Sequence, residues 1–208
     1  MGLQSEARIA RRLGFPVAVG GGTAAGAERQ AQSVIEAGAR GLISFGIAGG
    51  LDPALRPGQV IVPDSVCADG VVYLADPGLA AMFGGFTGHR ALGTRDPILS
   101  PADKARAAER NGAHAIDLES GAVARTAAAR GLPFAVVRAI CDPAERTLPP
   151  LALNAIDGNG NVRAAATLWY LLLHPREIPA MIGLARESAA AHRALKRVCA
   201  DFARRRSA

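Results

Sequence analysis

The sequence contains few aromatic residues and few cysteines, and each shortage excludes a class of protein. Aromatic residues make up 4% of the 208 residues, so a nucleic acid would find few rings on which to stack its bases. The three cysteines, Cys67, Cys141 and Cys199, are far apart and form no CxxC pair, which indicates neither a disulfide framework nor a metal site. We therefore expect a reducing compartment, no metal and no nucleic-acid partner.

Long hydrophobic runs are also missing. The longest, residues 168–173 with an alanine triplet shortly before it, is far shorter than the roughly 20 residues that span a bilayer. The N-terminus lacks the basic and apolar stretches of a signal peptide. We expect a cytoplasmic protein that is either soluble or peripheral on the inner face of the cytoplasmic membrane.

The basic excess is confined to the C-terminal part of the chain. There are 24 basic and 18 acidic residues, which gives a net charge of +6. Residues 1–162 carry 15 basic and 15 acidic side chains, whereas residues 163–208 carry nine and three. Only Lys104 and Lys196 are lysines, which indicates a compositional bias toward arginine. We interpret residues 1–208 as one domain, with an α/β catalytic part over 1–162 and a basic helical extension over 163–208.

Short apolar stretches alternate with alanine-rich stretches of helical period, which is the pattern of an α/β fold. They predict strands over residues 15–20, 42–48, 59–62, 71–74, 114–118 and 134–141, and helices over 23–37, 101–111 and 120–130. Chemistry in such folds lies at the carboxyl ends of strands. The candidate segments are therefore residues 20–22, 46–50, 117–120 and 138–142.

Two of these segments are rich in glycine. Gly20, Gly21 and Gly22 lie between a predicted strand and a predicted helix, a spacing that suits phosphate groups and leaves open a non-catalytic dinucleotide-binding domain. The expected acidic residue at the end of the second strand is missing, however. Gly49 and Gly50 follow a buried strand, where they either admit a flat ring or a sugar or form a tight turn with positive φ.

The other two segments carry carboxylates. Glu119 lies next to a helix start, where it either accepts hydrogen bonds from two vicinal hydroxyls or caps the helix, and we expect only one of Asp117 and Glu119 to face the cleft. Asp142 ends a buried strand, where a partly desolvated carboxyl can deliver a proton. Arg138, on the same strand, either clamps this region or belongs to a buried ion pair. A nucleophile elbow at residues 118–122, with Asp142 and His174 or His192, is a further alternative.

Together, residues 44–51, 117–120 and 138–142 resemble the purine nucleoside phosphorylase and methylthioadenosine nucleosidase superfamily in order and spacing. The hopanoid-associated branch is the most similar, because residues 2–8, the Asp142-Pro143-Ala144 segment, residues 148–150 and the basic tail resemble it as well. The resemblance implies a three-layer αβα sandwich with a twisted mixed sheet, which assembles into homo-oligomers and needs no cofactor. It implies cleavage of an N-ribosidic bond to adenine.

The resemblance also implies roles for individual residues. Asp142 corresponds to the acid that protonates purine N7, and Glu119 to the carboxylate that holds the ribose hydroxyls, with Leu118 in the place of the family's methionine. Glu6 corresponds to the glutamate that activates water. The remaining correspondences are three positions beside the nucleoside and one arginine that supports the last strand: Ile47, Gly49, Gly50 and Arg138.

The acceptor and the substrate each have an alternative. Phosphorylases of the superfamily hold phosphate with an arginine and a serine, whereas the matching positions here are Ser44 and Ile47, so we expect water rather than phosphate to attack. Phosphate as co-substrate would need the three glycines of residues 20–22, with Arg56 or Arg95. The branch predicts adenosylhopane as the substrate, in hopanoid biosynthesis. A phosphorylase or methylthioadenosine-type nucleosidase for a soluble purine nucleoside is the alternative.

The tail has the pattern of an amphipathic basic helix. At helical period, one stripe of residues 184–206 is apolar and the opposite face is basic, with the stripe made of Leu184, Ser188, Ala191, Leu195, Val198 and Phe202. Such a helix either docks on the domain or binds an anionic membrane surface with help from residues 169–173 and 178–184. In the second case, residues 175–183 would line an apolar exit for a lipid substrate.

Overall fold

The computed structural model describes residues 1–148 and 174–207. Two short 3₁₀ helices, Arg11–Leu13 and Pro175–Glu177, accompany the regular elements. The helices are α1 (Gln4–Ala10), α2 (Ala24–Glu36), α3 (Pro77–Ala81), α4 (Pro101–Asn111), α5 (Ser120–Ala129) and α6 (Ile178–Ser207). The strands are β1 (Leu42–Gly50), β2 (Val60–Ile61), β3 (Ser65–Ala68), β4 (Val71–Leu74), β5 (Arg90–Gly93), β6 (Ala115–Asp117) and β7 (Phe134–Asp142).

The seven strands form one mixed sheet in the order β2-β7-β1-β6-β5-β3-β4. β1 lies between β7, to which it is parallel, and β6, to which it is antiparallel. The pairing of β1 with β7 slips by one residue after Ala48, so Gly49 lies opposite Asp142 rather than Cys141. Such an irregularity re-aims side chains, and here it sets the position of Asp142 beside β1.

Helices cover both faces of the sheet, and alternate residues of β1 and β7 face opposite cores. On one face, α2 and α5 pack over Leu42, Phe134 and Val136. On the other face, α1 and α6 pack over Phe45 and Val137. The predicted three-layer α/β fold is confirmed.

The apolar stripe of α6 docks on the domain. Ala191, Leu195 and Phe202 are buried, and the Phe202 ring lies 5.5 Å from the rings of both Phe15 and Phe83. The basic residues of the opposite face are exposed: Arg186, Arg193, Arg197 and Arg204. The stripe therefore stabilises the fold. Within residues 1–148 and 174–207, no helix is long and apolar enough to cross a bilayer.

The predicted strand over residues 15–20 is wrong. This segment is not part of a strand, and its backbone bonds to Met1, whose carbonyl accepts from Gly20 N–H and whose ammonium donates to Ala18 O. Strand propensity alone does not make a strand, because the backbone must also hydrogen-bond to a neighbouring strand over several residues. Pro16 also lacks a donor for such a ladder.

The other predicted elements match observed ones within a few residues. Two of these helices begin with a side-chain cap, since the Thr23 hydroxyl accepts from Gly26 N–H and the Ser100 hydroxyl from Asp103 N–H. Elements of seven residues or fewer without strong periodicity were not predicted: α1, α3, β3 and β5. The boundary between residues 162 and 163 and the apolar residues 169–173 lie outside the described residues.

Candidate active site

Glu6 occupies a buried position against the glycine-rich strand β1. Its Oε1 accepts from Ile47 N–H and its Oε2 from Leu3 N–H, each at 2.8 Å, and only 2% of the residue is exposed. The Leu3 contact is half of a capping box at the start of α1. A side chain at Gly46 would place its Cβ 2.7 Å from Glu6 Oε1, so this position must be glycine for the carboxylate to lie against the strand.

The glycines of β1 do not form a turn. Gly46, Gly49 and Gly50 lie inside the strand, and none of them has a left-handed φ. A Cβ at Gly49 would lie 3.1 Å from Asp142 Oδ2 and one at Gly50 would lie 3.3 Å from Asp142 O. The tight turn with positive φ is therefore wrong, and these glycines let Asp142 lie close to β1. The approach of a flat ring or a sugar to them stays a prediction.

Glu119 is the carboxylate available to a ligand. It is 6% exposed, and its Oε1 is buried without a hydrogen-bond partner among the described residues. Burial raises the pKa of Glu119 to about 7, with the Glu6 and Asp117 carboxylates adding to the rise and the terminal ammonium and Arg138 opposing it. A buried acceptor of this kind lacks a donor that the hydroxyls of a sugar could supply.

Asp117, not Glu119, caps helix α5. Its Oδ1 accepts from the backbone N–H groups of Glu119 and Ser120, at 2.8 and 2.6 Å, whereas the Glu119 side chain makes no capping bond. Burial alone would raise the pKa of Asp117, but Arg138 and Ser120 hold it below its ordinary value. Asp117 therefore has a structural role as the cap of α5, and the Glu119 side chain makes no capping bond.

Arg138 belongs to a buried ion pair. It is fully buried, and its guanidinium lies 3.0 Å from both carboxylate oxygens of Asp117, measured from Nε and Nη2. Nη2 also donates to Ser44 Oγ at 2.7 Å and lies 3.9 Å from Glu119 Oε2. Arg138 thus supports the segment that carries Glu119. Among the described residues, the cation that pairs with Asp142 is not Arg138.

That cation is Lys104, which was not predicted from the sequence. Its Nζ lies 2.5 Å from Asp142 Oδ2, and the two side chains are 1% and 5% exposed. On its other side, Asp142 Oδ1 accepts from the Cys141 thiol at 2.9 Å, and burial together with the Asp142 carboxylate holds the pKa of that thiol well above its ordinary value. The scarcity of lysine was the available signal, because Lys104 is one of only two in an arginine-rich chain.

The predicted site residues converge on the end of β1. Glu6 lies against Gly46 and Asp142 against Gly49, three residues further along β1. Glu119 Oε1 lies beside Gly2, next to the Leu3 N–H that donates to Glu6, so the three carboxylates share one region. Leu118 is half-buried beside them. The loop of residues 20–22 comes close as well, since a Cβ at Gly2 would lie 2.6 Å from Glu119 Oε1 and 3.2 Å from Gly22 Cα.

The loop of residues 20–22 offers less to a phosphate than its glycine spacing suggests. Gly20 N–H already donates to Met1 O, and the Thr23 hydroxyl caps the following helix. Gly21 and Gly22 have φ of 73° and 71°, so the glycines meet the needs of a tight turn.

The geometry is not that of a nucleophile elbow. Ser120 does not have the left-handed φ of a strained elbow. His192 binds elsewhere, with Nε2 2.9 Å from Ser5 Oγ and Nδ1 2.8 Å from Ser188 O. His174, the other candidate base, is exposed.

Comparison with known proteins gives a family match in sequence and a fold match in structure. The sequence matches the phosphorylase superfamily over residues 16–101 and 90–169. No curated protein sequence matches this chain.

Several solved structures share the fold. The 5′-methylthioadenosine/S-adenosylhomocysteine nucleosidase from Helicobacter pylori is 14% identical over 96% of this chain and 95% of its own, with a TM-score of 0.64. The S-adenosylhomocysteine nucleosidase from Streptococcus pyogenes is 18% identical over 88% and 75%, with a TM-score of 0.62. The futalosine hydrolase of Helicobacter pylori is 15% identical over 88% and 77%, with a TM-score of 0.61. At these identities the likeness establishes the fold.

Proposed function

Because this chain belongs to the phosphorylase superfamily, we propose that it cleaves the N-ribosidic bond of a purine nucleoside, with water as the attacking group. The observation that carries the choice of water is the position of Glu6, which occupies the Ile47 N–H of the glycine-rich strand and lies near Glu119. Structural neighbours named as nucleosidases and as a hydrolase favour the same choice.

Electrostatics disfavour phosphate at this position. A dianion beside the carboxylates of Glu6 and Glu119 would be repelled. The N–H of Ile47, one of the two positions that match the phosphate ligands of phosphorylases, already donates to Glu6. Ser44 is bound to Arg138. The candidate helpers Arg56 and Arg95 lie on the surface, where they pair with Glu145 and Asp69. A water molecule needs only a carboxylate to accept its proton, and Glu6 supplies one.

The three carboxylates suit a dissociative reaction. As the bond between the sugar and N9 breaks, the ribose gains oxocarbenium character and the purine gains electron density. Glu119 accepts hydrogen bonds from the ribose hydroxyls and stabilises the positive sugar. Asp142 delivers a proton to purine N7, so adenine leaves as a neutral base. Glu6 takes the proton of the water that attacks the anomeric carbon.

We expect adenine release to be independent of phosphate. The assay measures adenine released from adenosylhopane, 5′-methylthioadenosine and adenosine, with and without phosphate, and it identifies the sugar product. Free ribose derivatives should form at the same rate in both conditions. Removal of the base in Glu6→Gln should lower kcat by about a hundredfold or more, because general-base catalysis contributes on that scale.

Glu36→Gln is the matched control, because Glu36 is exposed at the end of α2 and should leave kcat unchanged. A sugar 1-phosphate as product, or a rate that rises with phosphate, would contradict the assignment of water. Absence of adenine release from every nucleoside would overturn the proposed function.

We expect activity to fall on the acid side of about pH 7. The pKa of Glu119 is raised to about 7, so below that pH the side chain is protonated and cannot accept from both ribose hydroxyls. kcat/KM should then fall roughly tenfold per pH unit below 7. Glu119→Gln should show low activity without this acid limb.

The raised pKa of Glu119 affects stability in the opposite direction from activity. A carboxyl whose pKa is raised in the folded state destabilises the fold when it ionises, so this contribution to the free energy of unfolding falls as pH rises from about 4.5 to 7. Glu119→Gln should therefore raise Tm at pH 8 while it lowers activity. A flat wild-type rate profile from pH 5 to 8, or a Tm lowered in the variant, contradicts this account.

We propose adenosylhopane as the substrate, in hopanoid biosynthesis. The support, apart from the resemblance of the sequence motifs, is an apolar surface near the loop that follows Asp142. A Cβ at Gly183 would lie 3.3 Å from the Arg146 side chain, and Arg146 O accepts from Lys104, the partner of Asp142. Ile178 and Ile182, on the same turns of α6, are 38% and 47% exposed. A higher kcat/KM for adenosylhopane than for 5′-methylthioadenosine would support this choice.

Contact with an anionic membrane surface would use the first turns of α6 rather than its apolar stripe. The stripe is buried against the sheet, whereas Ile178, Ile182 and Arg186 face outward. We also propose a homo-oligomer, for which the exposed apolar side chains of edge strand β4 offer a surface: Val71, Val72 and Leu74.

A further inference from the structure

Lys104 is a buried cation whose hydrogen-bonding capacity is fully used. An ammonium has three N–H donors. Those of Lys104 go to Asp142 Oδ2 at 2.5 Å, to Pro143 O at 3.0 Å and to Arg146 O at 3.2 Å. It is 1% exposed and is the one buried residue of α4. The side chain thus crosses from α4 to the end of β7 and the loop that follows.

Stability alone gives little reason to keep such a pair. Desolvation of two charges offsets much of their attraction, and apolar residues of similar volume often replace a buried ion pair without loss. The pair is also placed at the one carboxyl from which the leaving purine takes its proton under the proposed function.

The residue type is informative because this chain uses arginine almost everywhere else. Only two of its 24 basic residues are lysines, and the other, Lys196, is exposed on α6. Arginine does not release a proton in proteins, whereas a buried lysine can. The buried lysine beside Asp142 can therefore release a proton, which an arginine at the same position could not do.

We propose that Lys104 is a positioning residue that supplies the proton that Asp142 delivers, an inference that rests on the proposed function. As the bond to N9 breaks, its electron pair passes into the purine. The Lys104 N–H proton moves to the Asp142 carboxylate, which becomes a carboxylic acid, and Asp142 then gives that O–H proton to N7, so Asp142 ends as a carboxylate and Lys104 as a neutral amine. The attacking water gives its oxygen to the anomeric carbon and its proton to Glu6. After adenine leaves, Glu6 releases its proton to solvent, and Lys104 takes up one proton from solvent through Asp142.

The test compares two leaving groups. Adenine in 5′-methylthioadenosine needs a proton to leave, whereas the phenolate of p-nitrophenyl β-D-ribofuranoside leaves without one. Lys104→Met should lower kcat for the nucleoside by about a hundredfold or more, and kcat for the p-nitrophenyl riboside by less than about threefold. KM for both should stay within about threefold of wild type. Lys196→Met, the matched control, should change neither.

A double variant separates proton supply from structural support. Lys104→Met combined with Asp142→Asn leaves no unpaired charge in the interior, so it keeps the test possible if Lys104→Met alone fails to fold. It should be no slower on the nucleoside than Asp142→Asn alone, because Lys104 acts through Asp142.

Three results would overturn the inference. They are equal loss on both substrates in Lys104→Met, full nucleoside activity in that variant, and a double variant at least about tenfold slower than Asp142→Asn. A wild type that hydrolyses 5′-methylthioadenosine establishes the proposed function separately from this inference. A wild type inactive on every nucleoside would overturn both.

Discussion

Replacement of Asp142 by asparagine should lower kcat for adenine release by about a hundredfold or more, the effect expected for loss of one general acid. Asparagine keeps the shape of the side chain and an oxygen that can accept from Lys104, but it has no acidic proton to give to N7. The position of the residue is fixed by the slip in pairing that places it opposite Gly49. Binding should change less than turnover.

The measurement is kcat and KM for an adenine nucleoside, compared with kcat for a riboside with a phenolate leaving group. The variant should retain the second activity, because that leaving group needs no proton. Asp201→Asn serves as the control, since Asp201 pairs with Arg204 near the end of α6, outside the cluster of carboxylates. Asp142→Asn with near wild-type kcat on the nucleoside would refute the role of Asp142 as the acid.

The second large effect concerns folding. Arg138→Met should lower the free energy of unfolding by about 3–5 kcal/mol, the range observed when one partner of a buried ion pair is removed. The variant leaves the Asp117 carboxylate in the interior without its guanidinium, and Ser44 loses its partner as well. Denaturant unfolding at pH 7 measures the change.

The effect of Arg138→Met should depend on pH with a known sign. The pKa of Asp117 is lowered in the folded protein, so the ion pair stabilises the fold above the ordinary pKa of an aspartate and loses this contribution as pH falls through the lowered value. The gap between wild type and variant should therefore narrow in acid.

Two further variants check the assignment to the ion pair. Arg138→Met combined with Asp117→Asn should recover part of the stability, because no unpaired charge remains and the amide oxygen still caps α5. Arg197→Met, on the exposed face of α6, should stay within about 0.5 kcal/mol of wild type. A loss below about 1 kcal/mol in Arg138→Met would contradict the importance of the pair.

The basic C-terminal helix α6 packs on the sheet in the folded protein. The sequence places the whole net charge in residues 163–208, and α6 indeed carries an exposed basic face. Its apolar stripe, however, packs against β7 in the core. The helical period showed that one face was apolar, but the partner of that face depended on where the chain returned to the sheet.

Much of the secondary structure followed from local signals. The capping residues Thr23 and Ser100 begin the predicted helices, and Gly112, with φ of 56°, ends one of them. These signals are reliable because a cap bonds to a group within a few residues of itself. The strand predicted over residues 15–20 was wrong because a strand needs a distant pairing partner, which no local pattern specifies.

The sequence by itself determined the fold class, most of the regular elements and the carboxylates Asp117 and Asp142 at strand ends. Only the tertiary structure decided the partner of each charge. Arg138 pairs with Asp117, 21 residues away, and Lys104 pairs with Asp142, 38 residues away. Sequence motifs show residues that act together only when those residues are close in the chain. These two pairs form because the strand order and the slipped register of β1 and β7 bring distant segments together. In that interior an unpaired charge is costly, so each of these charged side chains has a partner. That is why Asp142 could be proposed as the acid from the sequence, whereas Lys104 beside it was not predicted.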